Sequence, residues 1–416
     1  QPLDAIFEGD INTALGNANM LLDYTIPYGN NAIALKGNVK TSNIELGKIT
    51  ANNKLGSVAG EVAFDVNINK NNYNGYVDGN INHFDFNNYR YNNITAKVNV
   101  DNNFIEGIAN IDDPNINISI EGEANLDKNN PYINAHALAN TINFNNINLT
   151  NKYHHLSAEI EADLKGLDID NATGHINVNN LRYSNNPAKE LFIDHIAINA
   201  HNEGVDKQSL SISSNFLNAS INGSYSYKSL VPAVKDILSH SFPVFFGKNA
   251  HQSAATLTAN NKNKFTFDIS LEKDENVFNF FNINTDLFVP ITFTGEVNHP
   301  EHKLSMVGNI PYLVAGNKLI EKTYIEVDVD QSIDRCFMKL FTEFPFKNDN
   351  VPVEILCDGS NNQLDAHLSW VLNRKTAFRG DISLSTLFSK DDNGKLVTDL
   401  NINPSNLVFN DSVWTI

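Results

Sequence analysis

The residues able to do chemistry are few, and their spacing scatters them. Glu326, Asp328 and Asp330 could group carboxylates around a cation, but they alternate with Ile325, Val327 and Val329. On an extended chain that alternation puts them on one wet strand face, and the glycine-bearing loop of a calcium site is missing. His154 and His155 are adjacent, so a strand sends them to opposite sides. Asp168, Asp170 and Asn171 precede Gly174 and read as turn residues. Cys336 and Cys357 lack metal-ligand spacing and run in phase with Met338, Leu340, Val353 and Ile355. They read as small buried hydrophobes, or as a disulfide across neighbouring strands if the compartment is oxidising. No nucleophile elbow, phosphate-binding loop, dinucleotide fingerprint or HExxH motif occurs. The residues therefore predict no enzyme, no catalytic residue, no bound metal and no cofactor.

The elements that carry these residues are strands with one oily face. Val62, Phe64, Val66 and Ile68 alternate with polar neighbours, as do Ile116, Ile118 and Ile120. So do Leu156, Ile160 and Leu164; Phe265, Phe267, Ile269 and Leu271; and Leu364, Leu368 and Trp370. Period two over such lengths predicts half-buried strands. Asn71-Asn72, Asn102-Asn103, Asn129-Asn130, Asn222-Gly223 and Asp358-Gly359 are expected as the hairpin turns between them. The fold class expected is all-β, a long antiparallel meander. One segment breaks the period. From Ser229 to His240 the apolar residues Leu230, Val234, Ile237 and Leu238 follow helical spacing, with Ser229 as N-cap, and an apolar tail runs from Phe242 to Phe246. This inserted helix and tail, residues 229–246, read as a plug over an apolar edge or as a lid.

Composition narrows the function. The chain has 416 residues, with Lys plus Arg 30 against Asp plus Glu 48, and a net charge of −18 argues against nucleic acid. Mean hydropathy is −0.30, and no apolar run approaches the length of a membrane-spanning helix. Asn is unusually frequent, 68 residues with 35 in the first 150, interleaved with Ile and Val. No composition break marks a linker, so residues 1–416 are expected as one continuous elongated groove segment. Gln1 is not a native start, and the chain reads as part of something longer.

The oily faces need cover. A sandwich predicts separate domains, and a membrane barrel predicts outward aromatic girdles and long loops. An open trough with its oily side inward fits the short connections best. The Asn-punctuated meander resembles the TamB family of AsmA-like, bridge-like lipid transport proteins, in its Bacteroidetes-type form. The resemblance also rests on the inserted Tyr225–Phe246 segment and the ending Asn403-Pro404-Ser405 with Asn410-Asp411-Ser412-Val413-Trp414. It implies a curled sheet, a "β-taco", that carries phospholipid across the periplasm. It also implies inner-membrane anchorage by an N-terminal helix outside this segment, and an outer-membrane barrel partner of the insertase superfamily.

The physics of such cargo agrees with the residues. Each methylene exposed to water costs about 0.8 kcal/mol, so a 16-carbon chain outside a bilayer costs roughly 12 kcal/mol. A conduit must then be apolar without gaps, and the five runs carry no charge in their apolar phase. The seventeen apolar residues of those runs named above are the expected lipid groove, and Leu230, Val234, Ile237 and Leu238 the expected plug. The alternative is a structural or adhesin-like β protein, or an array of sandwiches, whose oily face is simply core.

Overall fold

The structure is a computed structural model describing residues 3–26, 32–69, 72–166, 168–204, 207–246, 263–315, 318–346, 349–372, 378–410 and 412–416. Asn71 of the expected turn pair lies outside them. The strands form one antiparallel sheet of 26, in which nearly every strand pairs with its sequence neighbours, and the sheet does not close into a barrel. The trough's prediction of an open all-β meander is met. Asparagine sets many of the turns. Among the described residues, eleven of the fifteen non-glycine residues with positive φ are Asn, including Asn87, Asn88 and Asn102, because its side chain bonds locally and tolerates the left-handed region.

Two expected turns are strands instead. Asn222-Gly223 lies within Leu217–Ser224 and Asp358-Gly359 within Asp349–Ser360. A Cβ at Gly223 would run into the Lys264 carbonyl oxygen of the next strand, and one at Gly359 into the Phe242 ring. These glycines serve close approach rather than reversal; the turn after Ser360 uses Asn361 and Asn362 at positive φ.

The chain forms two compact units. The first comprises residues 1–168 and 172–198. Its long hairpins are interrupted by one helical turn, α1 (Leu46–Thr50). The connection after Asn143 folds back over neighbouring turns. Ile147 is fully buried there, and the Asn148 side chain donates to the carbonyls of Asn87 and Asn88 at 3.2 and 3.1 Å.

The second unit comprises residues 169–171 and 199–416. It contains α2 (Leu230–Ser241), α3 (Pro243–Phe246) and α4 (Glu275–Phe281). Pro232 falls in the first turn of α2, where its missing N–H costs nothing. Ser229 does not cap by its side chain. Its hydroxyl is taken by the Ser226 carbonyl and by Asn263, which is fully buried. The helix α4 was not expected, although Asp274 accepts from Val277 N at its start and Asn282 closes it in the left-handed region.

Candidate functional site

In an antiparallel sheet, directly opposed residues point to the same face, so register converts strands into rows running across the sheet. In the first unit one such row reads Phe7, Leu22, Gly37, Phe64, Val77, Val98, Gly107, Gly122, Ala135, Ala162, Ile176. The next runs from Gly9 and Met20 through Val39, Val62, Gly79, Ala96, Ala109, Ile120, Ala137 and Ile160 to Val178. Neither contains a polar side chain. Val66 and Leu164 stand in the row beyond Phe64, and Ile118 in the row beyond Val62. Ile116 and Leu156 flank Ile142, and Ile68 sits between Ile33 and Tyr73.

Across six strands the two central rows are mostly Gly and Ala. Larger residues flank them along part of this length: Ile81, Ile94, Ile111 and Ile118 on one side, giving way to Ala139 and Ala158, and Val100, Ile105, Ile133 and Leu164 on the other, interrupted by Ala124. The result is a furrow crossing the strands, about 24 Å long at the usual strand spacing. A concavity of about 200 Å³ lies within it, against Val98, Ile105, Gly107, Ile120 and Ala135. The face is not sealed, since Val77 is 37% exposed and Ile120 45%.

The second unit has its own apolar rows. One reads Leu210, Ile221, Phe267, Gly295, Met306, Val327, Met338, Cys357, Ala366, Leu384, Ile402. Its neighbour carries Ile269, Phe293, Ile325, Leu340, Ile355 and Leu368. Leu271 opposes Leu217, Leu364 opposes Gly359, and Trp370 opposes Val353. Phe265 lies instead in a row at the strand ends with Val297, Leu304, Val329 and Cys336.

That row is covered by α2. Ile237, fully buried, packs with Tyr225, Phe265, Val297 and Val329, and Leu230, Val234 and Leu238 close around them. Three successive hairpin turns tie the helix down. His299 Nε2 meets Asp236 Oδ2 at 3.1 Å, Gln331 Nε2 donates to the Ile237 carbonyl at 2.8 Å, and Asn362 N donates to the Ser241 carbonyl at 2.7 Å. Asp170, expected only as a turn residue, accepts from Tyr227 N and the Ser226 hydroxyl at the start of the same segment. These contacts tie α2 to the strand ends at several points along its length.

The chemistry-bearing residues are placed apart from these faces or inert within them. Asp328 pairs with Arg335 at 2.8 Å and Asp330 with Lys303 at 3.4 Å on the wet face. His154 bonds Tyr183 and His155 bonds Thr141, with no shared partner. Both cysteines are free thiols, which burial pushes above the usual thiol range. Ser57, His83 and Asp85 look like a hydrolytic triad that sequence spacing hides. The order is wrong, because a triad needs the imidazole between hydroxyl and carboxylate. Here Ser57 Oγ donates to Asp85 at 2.8 Å, and Arg90 grips both Asp85 oxygens at 2.7 and 2.8 Å. The Arg90 bonds hold the Asp85 carboxyl at about 2, too weak a base to activate a hydroxyl. His136, Glu159 and Glu161 converge within 4.8 Å on the wet face. The His136–Glu159 contact of 2.9 Å raises the imidazole pKa.

The candidate site is therefore the apolar surface of these faces. Comparison with protein-family models, with curated proteins and with solved structures finds no match for this chain. Its function has to be argued from the faces themselves.

Proposed function

We propose that the chain is a lipid-transfer conduit of the bacterial envelope, its apolar faces carrying phospholipid acyl chains between inner and outer membranes and so supporting outer-membrane assembly. The observation that carries this is the first unit's uncharged rows, walled into a furrow and left accessible. A furrow of about 24 Å exceeds the roughly 15 Å that one acyl chain spans in half a bilayer core. Small side chains along its floor leave the width that a hydrocarbon chain needs. A stalk or packed core favours the opposite: large residues filling the centre and no access for water. The resemblance to TamB-type proteins supports a periplasmic setting, with inner-membrane anchorage and the docking of a separate outer-membrane barrel protein both made through parts outside this segment.

The test is chemical capture. A photo-crosslinking amino acid at Ile120 should yield phospholipid adducts by mass spectrometry in cells, whereas the same group at Glu121, on the opposite face, should not. Equal labelling at both positions, or none at either, refutes the conduit.

A further inference from the structure

Strands Lys264–Leu271 and Ile291–Asn298 pair directly, with Leu271 opposite Ile291, so a tight hairpin would connect them. Instead, residues 272–290 leave the strand ends and return. The excursion is built rather than loose. Val277 and Leu287 are buried, Thr285–Leu287 pairs with the end of Lys303–Ala315, and Thr285 Oγ1 donates to the Val314 carbonyl at 2.7 Å. Lys273 Nζ bridges to Asp286 at 2.6 Å. On this frame Phe288 is 69% exposed and Phe281 60%, with Ile283 and Val289 exposed beside them. Inward positions are filled, so these side chains are presented rather than left over.

We propose that this knuckle inserts into the interface of a zwitterionic bilayer. Its exposed apolar side chains, Phe281, Ile283, Phe288 and Val289, are hydrocarbon, interleaved with exposed Asn282 and Asn284, and lack the Tyr, Trp or Arg anchors that dominate protein hot spots. Around them, residues 272–290 hold Glu272, Asp274, Glu275 and Asp286 against a single cation, Lys273. That charge repels anionic lipid and suits the outermost ammonium of ethanolamine or choline headgroups. The choice of a bilayer rests on the lipid-conduit reading. The test below reads surface partition separately from bound lipid, so each idea fails on its own result.

The full chain is sedimented with phosphatidylcholine–phosphatidylethanolamine vesicles and with vesicles containing phosphatidylglycerol, at low and high salt. Partition onto the zwitterionic vesicles is expected, weaker at low salt on the anionic ones, and the double variant Phe281→Ser/Phe288→Ser should lose at least about tenfold. Both positions are exposed, so an unchanged thermal transition checks the fold, and lipid extracted from the washed protein should be the same in both forms. A wild-type chain that stays in the supernatant overturns the proposal. So does a variant that partitions equally, or one whose only change is a smaller sedimentation coefficient, which assigns the knuckle to a second copy. Partition without extractable bound lipid leaves the knuckle standing and removes the conduit.

Discussion

Replacing Ile120 with Arg distinguishes a lipid track from a packed core. Ile120 is 45% exposed between Ala109 and Ala137. Full burial of such a side chain is worth about 1.5–3 kcal/mol, so losing its covered half costs about 1 kcal/mol. The guanidinium can reach water along its own stem, which keeps the fold intact. Passage of hydrocarbon is another matter. Stripping water from that cation costs several kcal/mol, and a barrier of about 3 kcal/mol slows transfer roughly a hundredfold. Transfer of fluorescent phospholipid between vesicles gives the rate, and denaturant unfolding gives the stability change. Transfer within twofold of wild type by a folded variant refutes the track. A stability loss of about 4 kcal/mol shows instead that Ile120 belongs to a tight core.

Other outcomes follow from single features. Ile237→Ala should cost about 2–5 kcal/mol by calorimetry or denaturant titration, because a fully buried residue leaves a cavity; Val231→Ala, on the 62% exposed side of α2, should cost under about 0.5 kcal/mol. Asp85 has a folded pKa of about 2, below its ordinary 3.8. It therefore contributes stability that is present above the ordinary value of 3.8 and lost as pH falls through about 2, an effect that solvent screening at the half-exposed Arg90 holds to about 1 kcal/mol and that Arg90→Ala should abolish in acid unfolding curves. Ser241 hydrogen-bonds the Cys336 thiol. Ser241→Cys with Cys357→Ala should then form a disulfide under mild oxidation, and lipid content should not change, because the plug is already fixed; a drop in lipid marks α2 as a moving lid.

Most of the fold is legible because period two survives burial on one side only. Runs such as Leu156–Leu164 have water on one face and hydrocarbon on the other, and the strand His155–Lys165 follows them closely. The furrow floor is harder to read. Ala135 and Ala137 mark their strand with residues too small to stand out in a hydropathy pattern, and only register shows them facing Gly122 and Ile120. Tertiary contacts also overrule local signals. Asp358-Gly359 has turn chemistry, but its glycine is required by the Phe242 ring, which is distant in sequence. Likewise the hydroxyl of Ser229 serves Asn263 rather than the helix it precedes. The Asp274 cap of α4 was available in the sequence, but seven residues are too few for a helical period to stand out.

The ties that hold α2 reach far along the chain. Gln331 is 94 residues beyond Ile237, and for the adjoining α3 Asn362 is 118 beyond Val244. Elsewhere each hairpin finds its partner within a few tens of residues, so the nascent sheet can grow strand by strand behind the ribosome. The helix cannot join that order. At 5–20 residues per second, its greasy stripe waits roughly 5–19 s for the turn that receives it. During that interval the unfinished second unit offers both an undocked apolar helix and an open strand edge, the combination that chaperones bind and that misassembly exploits.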